Sequence, residues 1–245
     1  MLSTRLLRWR IRGRSIGRMS RLLRPISLVT VIAQFVFVLS WLVAAAWQGP
    51  SYSVLAHSIS DMYAVSAPHG EVLVVVFTIT GAITIMFAVA IWHALRNAGW
   101  TALLGAILLG FSIFGLGDLL SAFERLACRL ADPGCTADSQ LANAGGQLDA
   151  ALSTAGIGLF IAALIFLSFA MQDTEGWRRW VWPTRSVAIA EFLLFIADGA
   201  LASVGLGGLL ERLVAALGAF AIAGLAVVIL RDRSSSATRP SVVES

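Results

Sequence analysis

The side chains in this chain that are best suited to acid–base or ligand chemistry are concentrated in one short segment and a few isolated acids. The segment reads Tyr52-Ser53-Val54-Leu55-Ala56-His57-Ser58-Ile59-Ser60-Asp61-Met62-Tyr63, and Ala67-Pro68-His69-Gly70-Glu71 follows it. If its first part is helical, His57 and Asp61 stand four residues apart on one face, close enough to share a proton or a cation. Ser60 and Asp61 equally suit a turn cap. The isolated acids are Asp118, within Gly115-Leu116-Gly117-Asp118, and Glu191 and Asp198, which are seven residues apart. On a helix, that spacing puts both on one face, about 10 Å apart along the axis. His57, Asp61, His69 and Asp118 are the candidate ligands for zinc, and Asp198 is a further carboxylate, in a site left open for water. No HExxH or other compact ligand motif is present.

These residues are positioned by elements that lie in a membrane. Hydrophobic residues make up 58% of the 245 positions and charged residues 13%, and mean hydropathy is +0.83. That composition excludes an ordinary soluble domain. A spanning helix needs about 20 mainly apolar residues. Six stretches qualify, at Ile26–Trp47, Val72–Trp92, Thr101–Ala122, Ala150–Met171, Ser186–Val204 and Leu213–Leu230. They are continuous runs without period-2 alternation, which excludes a barrel. The expectation is an all-α, polytopic bundle of six transmembrane helices over residues 25–231. A basic cytoplasmic arm on the membrane surface (1–24) precedes it, and a disordered cytoplasmic tail (232–245) follows.

All eighteen basic residues are arginines. With six spans, fifteen of them fall on the side of both termini, eight in the arm alone, and only Arg125, Arg129 and Arg212 fall opposite. The rule that basic residues stay inside therefore puts both termini in the cytoplasm. The arm's arginines alternate with Leu, Ile and Trp, which suits an anionic inner leaflet rather than nucleic acid. Cys128 and Cys135 then lie outside, flanking the turn residues Asp132-Pro133-Gly134, and are expected to form a disulfide. Nine carboxylates share that outer side: Asp61, Glu71, Asp118, Glu124, Asp132, Asp138, Asp149, Asp198 and Glu211. Orientation rules do not account for them, since acids influence topology little. Asp149 is expected to open the fourth span, where a helix dipole favours a carboxylate. Glu191, in mid-membrane, is at the depth of Gln34 and is expected to hydrogen-bond to it.

Tyr52 to Ala64, with its His-Ser-Ile-Ser-Asp core after the first span, resembles the DUF998 family of six-helix bacterial and archaeal membrane proteins. Gly81 and the glycines before Asp118 are similar too, and the resemblance extends over Val31 to Leu230. It implies a fold and a multi-pass place in a bacterial plasma membrane, but no activity. Members carry a histidine near the start of the fourth span, where this chain reads Gly146-Gln147-Leu148-Asp149. The Ser, Asp and His set also invites comparison with zinc-dependent membrane lipid hydrolases, which usually have seven spans and three histidines. This chain has only His57 and His69 on that side.

The leading expectation is an acidic, polar pocket near the outer face, formed by His57, Ser60, Asp61, His69, Asp118 and Asp198, that binds a lipid-like or small amphipathic molecule. The alternatives are a metal-dependent hydrolase in the same pocket, a proton- or cation-coupled transporter using Glu191 and Asp198, and an accessory subunit. For the last, Ala215, Ala219 and Ala223 offer a smooth face on the sixth span for a homo- or hetero-oligomer. No Walker or Rossmann glycine pattern occurs, so nucleotide chemistry is not expected.

Overall fold

Hydrocarbon offers no partner to a bare N–H or C=O, so apolar runs of this length must satisfy their own backbone as helices. A computed structural model describes residues 3–237, with side chains described from 22 to 231. The helices are α1 (Ser3–Ala44), α2 (Gly70–Leu95), α3 (Trp100–Phe111), α4 (Ala144–Gln172), α5 (Val181–Leu201) and α6 (Gly207–Ala237). Among the described residues, five helices are long and apolar enough to cross a membrane by themselves. A sixth span forms if α3 is taken together with the helical segment Ile113–Leu120, to which it is bent by 43°. The side chains of the basic arm lie outside the described residues. α6 continues past residue 231 to Ala237, and the rest of the tail lies outside as well.

Consecutive helices are neighbours: α1 packs on α2, α2 on α3, α3 on α4, α4 on α5 and α5 on α6, while α6 returns to α1 and closes a ring. The interior is apolar and contains fully buried Phe87, Leu109, Phe160, Leu164 and Ile222. Apolar side chains also cover the outside, as with Ile32, Phe35 and Leu39 on α1. In water such a surface would aggregate, but facing acyl chains it is the matched surface. The alanine stripe expected to receive another chain is used within this one: Ala219 and Ala223 are buried, and Ala215 packs against the core.

The third span departs from the sequence expectation of one helix over Thr101–Ala122. Ser112 is extended (ψ 175°), its hydroxyl bonds back to the Leu109 carbonyl at 2.7 Å, and Ile113–Gly117 winds as a π-helix. Such π segments are concentrated at functional sites. The break is supported by α2. A Cβ built on Gly81 would lie 2.3 Å from the Leu119 nitrogen and 2.6 Å from the Gly115 oxygen, so only glycine allows the two backbones to meet.

Because both atoms crowding that Cβ are backbone, Gly81→Ala is expected to lower stability by about 1–3 kcal/mol. Gly158→Ala adds its methyl where nothing lies within 4 Å, and should stay within about 0.5 kcal/mol of the parent. Thermal unfolding in a mild detergent checks this, and equal midpoints for the two variants would contradict the packing account.

Candidate functional site

The segment between the first two spans lies across one end of the ring and is tied down by its own carbonyls. Arg212, buried on the second turn of α6, donates to the carbonyls of Val54 (2.9 Å), His57 (2.8 Å) and Gly208 (2.6 Å), and also to the Tyr52 hydroxyl. Guanidinium donors in a rigid fork suit several fixed acceptors at once. Burial pushes the Tyr52 phenol up to about 12 despite that arginine. Arg125 holds the far end of the segment by donating to the carbonyls of Tyr63 (2.8 Å) and Ala64 (3.0 Å), and it pairs with Glu71 at 3.3 Å.

Between these anchors, Ser60–Tyr63 forms one buried 3₁₀ turn. Asp61, fully buried, accepts from the Leu130 N–H (3.0 Å) and the Gln140 amide (2.6 Å) through one oxygen, while the other has no partner. Burial raises its carboxyl above the usual range, opposed by the bond from Leu130. Leu130 belongs to the loop closed by the Cys128–Cys135 disulfide. Arg129 anchors that loop too, bonding to Asp132 and to the Gln48 carbonyl at 3.0 Å. The bonds from Arg129 hold the Asp132 carboxyl below its ordinary value.

Beneath this roof is a cavity of about 330 Å³, at the lower end of the range for small-molecule sites. Its apolar wall includes Phe37, Phe77, Phe114 and Phe195. Phe77 and Phe114 both meet the Phe37 ring, with centroids 4.9 Å and 6.2 Å from it. Five acids line its polar wall: Asp118 from the broken span, Glu124 just beyond it, Asp149 from α4, Asp198 from α5 and Glu211 from α6. Among the described residues, no arginine or histidine lines it.

The roof supplies donors to two of these acids. Asp149 accepts from the Ser60 hydroxyl at 3.0 Å and from the Tyr63 hydroxyl at 3.1 Å, and Glu211 accepts from the Ile59 N–H at 2.9 Å. Asp118 and Glu124 are different. They are 7% and 2% exposed, and each keeps one carboxyl oxygen with no partner. Burial, reinforced by the charge of Asp149, pushes Glu124 up to about 8. Burial also holds the Tyr63 phenol well above 10, with the Asp149 charge adding to it.

Of the residues singled out from the sequence, the structure brings Ser60, Asp118 and Asp198 together around the cavity. His57, Asp61 and His69 stand apart from it. His57 and Asp61 share no helix: Nδ1 of His57 accepts from the Ser53 N–H at 2.9 Å, and its ring lies 5.3 Å from that of Tyr52. His69 takes a left-handed conformation (φ 55°) before α2 and meets Trp47 edge-on at 6.2 Å. Among the described residues no three His, Cys, Asp or Glu side chains converge as a metal site would require. Gln34 and Glu191 do not pair. The Gln34 amide bonds to Thr84 at 3.0 Å, and Glu191 is buried with neither oxygen partnered.

Glu124, Asp149 and Glu211 were not singled out as pocket residues from the sequence. Asp149 was expected at the start of its helix, but α4 begins at Ala144, capped by the Asn143 side chain accepting from the Gly146 N–H at 2.7 Å. The dipole account therefore does not apply to Asp149, which lies beyond the first turn. The signal that could have identified all three is the unexplained excess of acids on one side of the six spans.

A family model described as a protein of unknown function, DUF998, matches residues 31–228. No curated protein and no solved structure matches the chain.

The raised carboxyl of Glu124 carries a pH signature. The folded state holds its proton up to about pH 8, whereas the unfolded chain releases it near 4.3. Between those values the folded state binds more protons, so this group's contribution to stability is complete at the acid end and is lost as pH rises. Glu124→Gln is expected to flatten that part of the pH–stability profile between about 4.3 and 8, measured by thermal unfolding. An unchanged slope would show that Glu124 ionises as freely folded as unfolded.

Proposed function

The chain belongs to the DUF998 family of unknown function, and we propose that it is a membrane-embedded binding protein whose cavity faces the extracytoplasmic side and takes a small amphipathic molecule. The observation that carries this reading is the cavity itself, with phenyl rings on one wall and two buried carboxyls with unpartnered oxygens on the other. A void lined this way is costly to leave in a fold with no use for it. An amphipathic guest would fill the apolar side and give the carboxyls partners.

The hydrolase alternative gains less support. Both loop imidazoles are turned to local partners, His57 to Ser53 and Tyr52, and His69 to Trp47. The orientation is supported by the arginines. The three at the cavity end are all engaged with carbonyls, Glu71 or Asp132, and the other fifteen lie toward the opposite side in the sequence count. The disulfide in the same roof suits an oxidising compartment.

Orientation is checked in intact cells by a membrane-impermeant phosphine followed by an impermeant maleimide. Labelling of Cys128 and Cys135 is expected without lysis, and labelling only after lysis would place the roof in the cytoplasm. The pocket is checked by native mass spectrometry of protein purified in a mild maltoside detergent. The parent is expected to retain an adduct that is lost from the combined Asp118→Asn, Glu124→Gln and Asp198→Asn variant. An identical adduct profile in a folded variant would remove the pocket reading.

A further inference from the structure

We propose that the ligand of this cavity is an organic cation, an ammonium group joined to a short apolar body, with Asp118 and Glu124 receiving the charge. The proposal rests on the reading of the cavity as a binding site and specifies its chemistry. Among the described residues, five carboxylates line the void and no cationic side chain does. Arg212 follows Glu211 in sequence, yet its terminal nitrogens go to the carbonyls of Val54, His57 and Gly208 and to Tyr52. Arg125 and Arg129 are committed to the roof, to Glu71 and to Asp132. The counter-charge is therefore missing from the described side chains at this site.

Two observations beyond acidity narrow the ligand. Asp118 and Glu124 are more than nine-tenths buried, line the void and keep unpartnered oxygens, so each has capacity for a donor that no protein group fills. The acids are also distributed around the void rather than drawn to one point, and no three of them meet the geometry of a metal site. A bare metal ion wants several oxygens within about 2.6 Å, whereas an ammonium group with attached carbons spans separated carboxylates and places its methylenes or methyls against Phe37, Phe77 and Phe114. Ring faces attract such cations as well as covering their carbons. An anionic or phosphate-bearing head group would find no basic side chain among the lining residues.

The experiment compares three probes with one tail, hexyltrimethylammonium, hexyl glucoside and hexyl sulfate, by thermal unfolding of the full chain in a neutral maltoside detergent at pH 8. Only the cation is expected to give a saturable rise, roughly 5–10 °C at about a hundredfold excess over Kd. Asp118→Asn and Glu124→Gln should each reduce that rise by at least half, while Glu71→Gln, at the exposed salt bridge, should keep it. On the unaltered chain, the cation should also protect Asp118 and Glu124 from dicyclohexylcarbodiimide, read by peptide mass spectrometry.

Repeating the titration in phosphatidylcholine nanodiscs doped with stearylamine separates the sources. Displacement of the probe supports the proposal with a ligand drawn from the bilayer, and saturable binding without displacement supports it with one drawn from water. Equal shifts from the glucoside or the sulfate, sensitive to the same variants, would overturn the charge assignment and leave the pocket standing. No shift and no protection with any probe would remove both.

Discussion

A carboxylate inside a lipid-solvated bundle must find a proton, a donor or a cation, because hydrocarbon supplies none of them. Acids gather at one end of this molecule, and the way seven of them are met accounts for much of the architecture there. Glu71 and Asp132 pair with Arg125 and Arg129. Asp61 is met by a backbone N–H and a side-chain amide from the disulfide-bearing loop. Asp149 and Glu211 take donors from the segment laid across the ring. Asp118 and Glu124 each keep an oxygen without a partner, as Asp61 and Glu191 also do, but these two border the void. The cavity is thus walled in part by acids whose donors run short.

That segment works as a roof because its own polar groups are consumed in holding it. A non-helical stretch at the edge of a membrane is tolerated only when its carbonyls and amides have partners. Arg212 and Arg125 meet carbonyls at either end, and Asp61 and Glu211 receive N–H groups. Close approach completes the seal: a Cβ on Gly208 would fall 2.2 Å from the His57 oxygen, so α6 begins directly against the roof. Few elements of the roof can move alone, because its bonds tie it to α4, to α6 and to the segment between the third and fourth spans.

The helices were legible in the sequence because apolar runs of that length have one solution in lipid, and the disulfide because two cysteines seven positions apart flank the turn residues Asp132-Pro133-Gly134. The break at Ser112 was not legible. No proline marks it, and the glycines that permit it read equally as a packing face until α2 is seen against them. The same limit hid Asp149. The apolar run alone starts the fourth span near Asp149, whereas the helix begins at Ala144 and the donors to Asp149 come from about ninety positions away. Matching Gln34 to Glu191 by depth failed because depth leaves rotation about the helix axis undetermined. Thr84 on α2 faced the amide instead.

The expected pairing of His57 with Asp61 failed for a related reason, and the failure explains how the cavity and the crosslinked loop are joined. The chain turns between these residues rather than continuing as helix. The imidazole is directed back to Ser53 and the carboxylate forward to Leu130 and Gln140. Gln140 donates at once to Asp61 and to the Cys128 carbonyl, while itself lining the void. A single amide therefore connects the buried acid of the roof, the base of the disulfide loop and the wall of the cavity. Asp61 is the acceptor through which the roof meets that wall.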